Sequence, residues 1–337
     1  MDPIALTRDL VALETPTGAE GPAVSYLAGV LGRAGYRVQL QPVARDRDNL
    51  YAWREPPALV FSTHLDCVPP YVPFREDAAT LYGRGSCDAK GIAAAMVAAA
   101  ERLAAGGERR IGLLFLVGEE NGSDGARVAA ALEPKGRFLV NGEPTENRLA
   151  VGQKGSMRMD LVAEGTAAHS AYPDEGRSAI LPLLDTLERL RQFPLPSDPI
   201  LGPCTMNIGV LSGGVAPNVI PPQASAQLLF RTIGPTDDLK RQLLACVSPG
   251  VSASFPVELP ACRGRAPVGW ETCVVSYASD LPFLSAWGEG YQLGPGTIRV
   301  AHTSGEHLGK AELLRAVELY VSLAEDLLGQ HQPEEQA

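Results

Sequence analysis

Apolar residues recur at helical spacing over residues 4–13 (Ile4, Leu6, Leu10, Val11, Leu13), behind Asp2-Pro3, a pair suited to starting a helix. A second helix fits residues 20–33 and stops at Gly35, and the alternation that follows over 37–43 predicts a strand. Two short apolar runs, 58–62 and 111–117, read as buried strands. They flank a strong helical pattern over 89–105 that ends at Gly106-Gly107. Residues 138–140 predict a further short strand. Strand, long helix and strand at this spacing imply parallel βαβ units.

From Gly155 the texture changes. Alternation over 157–162 predicts a strand with one face in solvent, 178–192 is helical, and 206–211 and 224–232 are strand-like. This α+β unit closes in the Pro/Gly/Arg-rich stretch 259–268. A short strand is expected at 297–301, an amphipathic helix at 310–328 and a polar tail at 330–337. The expected fold class is α/β: a mostly parallel-sheet domain of residues 1–154 and 265–337, discontinuous around an inserted α+β domain at 155–264.

A length of 337 residues suits two domains. Hydrophobic residues at 45% against 20% charged supply a core and argue against disorder. Lys and Arg total 29 against 39 Asp and Glu, a net charge of −10, which is a poor match to nucleic acid or an anionic membrane surface. Small acidic ligands stay open. No basic segment followed by an apolar one opens the chain, and the longest alanine-rich apolar run, 92–100, is too short to span a bilayer. Six cysteines without Cys-x-x-Cys pairs look like reduced thiols. A cytoplasmic protein is the expectation.

The chemistry lies in where the acids and histidines fall. His64-Leu65-Asp66 follows one expected strand, Glu119-Glu120 a second, Glu143 a third, and His302 the strand expected at 297–301. Asp88 sits where a loop containing Gly83 and Gly85 enters the long helix. In a parallel α/β sheet, binding crevices form beyond the carboxyl ends of strands, so these residues could share one edge. Singly, each has a plain alternative: Asp88 as a helix N-cap, the glutamates as a solvated pair. Together, two histidines and three carboxylates suit a pair of divalent transition metals, zinc first on ligand type. Asp88 as bridge with His64, Glu120, Glu143 and His302 as terminal ligands matches the count. Successive strand residues point to opposite faces, so one of Glu119 and Glu120 is left over as a general base. Asp66 could hold the second nitrogen of His64.

At this point the residues resemble a family. His64-Leu65-Asp66, Asp88-Ala89-Lys90-Gly91, Gly118-Glu119-Glu120 and Gly142-Glu143-Pro144-Thr145 are similar, in order and spacing, to motifs of the dinuclear zinc aminoacylases and exopeptidases. That family includes acetylornithine deacetylase, succinyl-diaminopimelate desuccinylase and carboxypeptidase G. The resemblance runs on through Gly165-Thr166-Ala167-Ala168-His169-Ser170, Pro217-Asn218-Val219-Ile220-Pro221, Gly294-Pro295-Gly296 and Ala301-His302, nearly the whole chain. It implies two divalent metal ions, zinc or alternatively cobalt, bridged by Asp88. His64 and Glu143 would serve one and Glu120 and His302 the other, with Glu119 as base and Asp66 behind His64.

The resemblance further implies that 155–264 is a lid that also makes a homodimer. Its His169 would polarise the scissile carbonyl, commonly in the neighbouring subunit's site, while Asn218 and Arg231 would meet the substrate carboxylate. Gly294 and Gly296 would let backbone approach the substrate. Ser279-Asp280 is similar to a pair that relatives carry near the site, with no role assigned. Two departures stand out. The chain is shorter than many relatives, and His307 occupies a position usually aromatic, which keeps it as an alternative ligand to His302. Cys67 and Cys87 read as packing residues.

The implied activity is hydrolysis of the amide of a small N-acyl amino acid, with an acetylornithine deacetylase-like biosynthetic enzyme first. Desuccinylase, release of lysine or ornithine from an amino-group carrier protein, and dipeptidase or carboxypeptidase action are alternatives within the chemistry. A metal-free, non-catalytic relative is the alternative outside it, and that reading predicts missing ligands, whereas every position here is filled.

Overall fold

The computed structural model describes residues 1–329, and the polar tail expected at 330–337 lies outside them. The chain divides into two compact units. One comprises Met1–Val151, Gly264–Cys273 and the described residues from Ser279 on; the other comprises Gly152–Arg263 and Val274–Ala278.

The first unit is built on a six-stranded sheet whose spatial order is Arg37–Ala44, Arg47–Trp53, Ile111–Leu116, Leu59–His64, Phe138–Asn141, Glu289–Gln292. The first two strands form an antiparallel hairpin that also pairs antiparallel with Ile111–Leu116; the remaining pairings are parallel. Leu59–His64 and Ile111–Leu116 are buried along their whole length, which explains why they read as continuous apolar runs. Alternate residues serve opposite faces. Phe61, Leu113, Phe115 and Val140 pack with the helices Lys90–Ala105 and Lys310–Gly329 in the main core. Val60, Leu114, Leu116 and Leu139 pack with Leu284 and Trp287 of the 3-10 helix Leu281–Trp287 on the other side.

The long helix is alanine-rich because it is sandwiched: residues 90–100 are all buried. A Cβ on Gly91 would stand 2.6 Å from Leu308 Cδ2, so only glycine lets the first turn sit this close. That turn fixes the loop carrying Asp88.

The second unit follows the order strand, helix, strand, strand, helix, strand, a split βαβ arrangement. Its antiparallel sheet runs Thr205–Gly213, Gln223–Thr232, Gly155–Glu164, Val251–Leu259. Met157, Met159, Leu161 and Ala163 face inward against Leu183, Leu187 and Leu190 of Ile180–Gln192, while Val162 is exposed. The α/β class with an inserted α+β unit is what the patterning implied.

Three features differ from the sequence reading. The strand expected at 297–301 is a run of turns, in which Val300 N donates to Thr297 O at 3.2 Å and Thr303 N to Val300 O at 3.3 Å. Pro295-Gly296, with Gly296 at φ +78°, has already turned the chain, and the sheet strand lies upstream at Glu289–Gln292. Arg47–Trp53 is a strand despite its charged start, closed on its neighbour by a turn with Asp46 at φ 59°. Val251–Leu259 is a strand despite Pro256, because it lies at the sheet edge and its register shifts between Ser254 and Val257 around the proline.

Candidate metal centre

His64 ends its strand with its ring buried, and Asp66 lies two residues beyond. His64 Nδ1 is 3.1 Å from the Asp66 carbonyl oxygen and 3.4 Å from Asp66 Oδ1, while Nε2 is 3.1 Å from Asp88 Oδ1. Asp66 does more than face the imidazole. It accepts the backbone N–H groups of Glu119 and Glu120, both at 3.1 Å, and the Thr17 hydroxyl at 2.8 Å. It therefore sets the turn that carries both glutamates.

That turn is a 3-10 helix, Glu119–Asn121, entered through Gly118 at φ +77°. The expectation that Glu119 and Glu120 part because they alternate along a strand is corrected: they have left the strand, and the tight turn parts them. Asp88 does not cap the following helix, whose N-cap is Ala89 without a side-chain bond. Its carboxylate instead lies between two histidines, 3.5 Å from His302 Nε2 through Oδ2. His302 Nε2 is 3.0 Å from Glu120 Oε1, and its backbone holds φ 63°, a left-handed conformation uncommon outside glycine.

Two groups of side chains can each hold a cation: His64, Asp88 and Glu143, and Asp88, Glu120 and His302, with candidate donor atoms within 4.8 Å of one another in each. Asp88 belongs to both. His307 belongs to neither; its Nδ1 is 2.8 Å from the Gly305 carbonyl and its ring lies against Tyr82.

The electrostatics fit cations. Burial pushes the Glu119 and Glu143 carboxyls well above the ordinary range, and neighbouring carboxylates push the same way, Glu143 on Glu119 and Asp88 on Glu143. Burial raises Glu120 too, against the bond from His302. Asp88 is held low: burial opposes ionisation, but the two imidazoles outweigh it. His302 is pushed up to about 10 by Asp88 and Glu120. Asp280, in the 279–280 pair left without a role, is buried and pushed up by that burial to about 7. So many buried acids around two histidines leave excess negative charge that divalent cations would neutralise.

The loop carrying Glu143 is held by the 294–296 segment. Gly294 O accepts the Thr145 and Asn147 N–H groups at 3.2 and 2.8 Å, and Gly296 O accepts that of Glu146 at 2.8 Å. A Cβ on Gly296 would meet Cys87 Sγ at 2.5 Å, and one on Gly294 would collide with the Glu143 carbonyl oxygen. Both glycines thus have packing reasons next to the acids.

The candidates of the second unit fall in two places. His169 pairs with Val219 in an isolated bridge, its Nδ1 accepts the Ala171 N–H at 3.1 Å, and Asn218 O accepts the Ser170 N–H at 3.0 Å. Both residues are exposed. Arg231 lies on the second unit's four-stranded sheet, paired with Thr205 and Ser156, at the end opposite Gln223, which pairs with Glu164 and follows the loop carrying Asn218. Eight residues at ~3.3 Å each put roughly 26 Å between those ends.

Sequence reasoning missed Glu306. It is buried, and Oε1 accepts the N–H groups of Gly85 at 2.9 Å, Cys87 at 3.2 Å and Asp88 at 3.2 Å. No local pattern marked it, because its partners are backbone amides and a guanidinium remote in the chain.

Against known proteins, a peptidase dimerisation domain matches residues 151–247 and peptidase family M28 matches 49–175. The chain is 36% identical over 335 residues to a peptidase M20 domain-containing protein of Schizosaccharomyces pombe, covering 94% of this chain and 82% of that one. It is likewise 36% identical over 373 residues to a probable carboxypeptidase of Aspergillus clavatus, covering 96% and 82%. A tripeptidase from Staphylococcus aureus shares the fold with a TM-score of 0.79 at 21% identity, over 95% of this chain and 96% of that one. Fold and relatives together define a metallopeptidase-type hydrolase with an inserted dimerisation domain. The chain belongs to the M20 peptidase family, and a Bacillus subtilis protein that shares the fold with a TM-score of 0.69 at 15% identity is described as a dinuclear metal-binding peptidase of that family. Among the described residues, no helix is long and apolar enough to cross a membrane.

Proposed function

We propose that the protein hydrolyses the amide bond of a small N-acylated amino acid, in the manner of an acetylornithine deacetylase, using two divalent metal ions. The observation that carries this reading is the pair of donor groups sharing Asp88, with the Glu119 carboxyl crowded against them. His64 and Glu143 would hold one ion and Glu120 and His302 the other, with Asp88 common to both; zinc fits the donor types and cobalt is the alternative. Such ions supply Lewis acidity toward the amide carbonyl and toward water. Glu119 takes a proton from the attacking water as the C–O bond forms, then delivers it to the nitrogen as the C–N bond breaks. Asp66 keeps the His64 ring and the Glu119 turn in register.

His169, Asn218 and Arg231 are the proposed substrate contacts of the second unit, Arg231 for a carboxylate. Arg231 lies on the second unit's sheet, while His169 and Asn218 lie in the loops beyond that sheet's other end, which supports a division of labour between subunits of a homodimer, His169 serving the neighbour's site. A carboxypeptidase is the second reading, favoured by relatives named probable carboxypeptidases. Both readings need a free carboxylate beside the scissile amide.

The test loads the protein with zinc or cobalt and compares N-acetylornithine, N-acetyllysine, N-succinyl-diaminopimelate and dipeptides. Preference for acetylated over dipeptide substrates supports the first reading; the reverse selects the second. The Glu119→Ala variant is expected to lose turnover while keeping its metal content. Retained activity would remove Glu119 from its role, and a wild-type protein that binds no metal would sink the proposal.

A further inference from the structure

We propose that Glu306 is a positioning residue that holds the Asp88 and His302 segments together and so sets the geometry of the metal pair; this rests on the metal-centre reading above. The loop leading to Asp88 is short of side-chain anchors: it turns through Gly83 at φ 138° and Gly85 at φ 86°, positions at which glycine imposes little preference of its own. Arg84 bonds nearby, its N–H to Val72 O at 3.0 Å and its Nε to Pro70 O at 3.3 Å, but the anchors of Gly83, Gly85, Cys87 and Asp88 come from more than 200 positions away in sequence. Glu306 O accepts the Gly83 N–H at 3.1 Å, Oε1 gathers the N–H groups of Gly85, Cys87 and Asp88, and Oε2 accepts Arg84 Nη1 at 2.6 Å. Both Glu306 and Arg84 are buried.

Two features separate this from ordinary loop packing. One of the three amides is Asp88's own, so the carboxylate acts one bond away from the Cα that carries the shared ligand. And Glu306 lies four residues beyond His302, so the same side chain fixes the spacing between two ligand-bearing segments remote in the chain. A charged acceptor is the suitable tool, because three N–H donors and a guanidinium converge on it. Thr303 restrains the stretch between, taking the Gly305 N–H at 3.2 Å and donating to Val300 O at 2.7 Å.

The test measures cobalt binding to the full-length protein by calorimetry and by the visible spectrum of the bound ion, beside kcat and KM, in Glu306→Ala, Glu306→Gln and Arg84→Met. Removing a side chain that orients ligands from behind lowers metal affinity about 10- to 100-fold. Glu306→Ala is expected to weaken the weaker cobalt equivalent by that factor, alter its spectrum and lower kcat. Glu306→Gln, which keeps an acceptor for the amides, is expected to recover part of the affinity. In a His302→Ala background, the further loss from Glu306→Ala is expected to shrink. Should Glu306→Ala fail to fold, Glu306→Gln and Arg84→Met carry the comparison. Variants with lowered Tm but unchanged affinities and spectrum would overturn the inference alone, whereas a wild-type protein that binds no cobalt would overturn the metal-centre reading beneath it.

Discussion

Gly296→Ala separates two roles for the 294–296 segment. If Gly296 serves by letting substrate approach its backbone, a methyl group there raises KM and leaves the free protein alone. The structure points elsewhere. Gly296 holds φ +78°, which costs an L-residue about 1–2 kcal/mol. The added Cβ would also stand 2.5 Å from Cys87 Sγ and 3.2 Å from Leu308 Cδ1, both in buried side chains. Overpacking of this kind costs about 1–3 kcal/mol. A total of about 3 kcal/mol lowers Tm by roughly 6–12 °C in a unit of this size. Cys87 precedes Asp88, so relief of the clash displaces the shared acid, and metal affinity and kcat fall with stability. Thermal unfolding and cobalt titration read both effects. A Cys87→Ala background removes the sulfur, so there the substitution is expected to cost less, chiefly the roughly 1–2 kcal/mol of the backbone part, with only the 3.2 Å approach to Leu308 Cδ1 left beside it. A variant with unchanged Tm and cobalt affinity but raised KM would refute the packing argument.

Arg47 forks onto Glu20 (Nε to Oε2 and Nη2 to Oε1, both 2.9 Å) and onto Asp124 (Nη1 to Oδ2, 2.5 Å), with the Glu20 side chain fully buried. Arg47→Met is expected to cost about 3–5 kcal/mol in urea unfolding, because a buried carboxylate loses its partner; a loss under 1 kcal/mol would contradict the assignment. Glu143→Gln is expected to abolish binding of one metal yet stabilise the metal-free protein. The Glu143 carboxyl sits well above its ordinary range, so its ionised form opposes folding at neutral pH. For the same reason the wild-type advantage of lowering pH, present between the ordinary carboxylate range and the raised value, shrinks in the variant. Differential scanning of the two metal-free proteins from pH 5 to 8 decides it, and equal or lower Tm for the variant at pH 7 would count against the charge-crowding account.

The acids were legible because a parallel sheet ends its strands on one edge, and buried parallel strands announce themselves as apolar runs. His64 and Glu143 needed no more than that. Glu119 and Glu120 were picked out for an incomplete reason, since the tight turn that parts them depends on Asp66, 53 and 54 positions earlier. His302 was placed after a strand, 297–301, that does not exist; Thr297-Ile298-Arg299-Val300 has β-branched residues, but a turn had already begun at Pro295-Gly296. Val251–Leu259 was hidden by a proline that only an edge strand with a register shift accommodates.

Glu306 was illegible for a deeper reason. Periodicity and motif spacing report contacts within an element or between neighbours in the chain, whereas Glu306 acts on backbone amides that any residue types would provide. Nothing about Gly85, Cys87 or Asp88 as side chains calls for a glutamate more than 200 positions later. Only closure of the fold brings them together, and only then does a burial rule apply: a carboxylate this deep must be met by donors. The candidate donors of such a centre are thus readable from local pattern, while the groups that hold them in place are readable only from the packed structure.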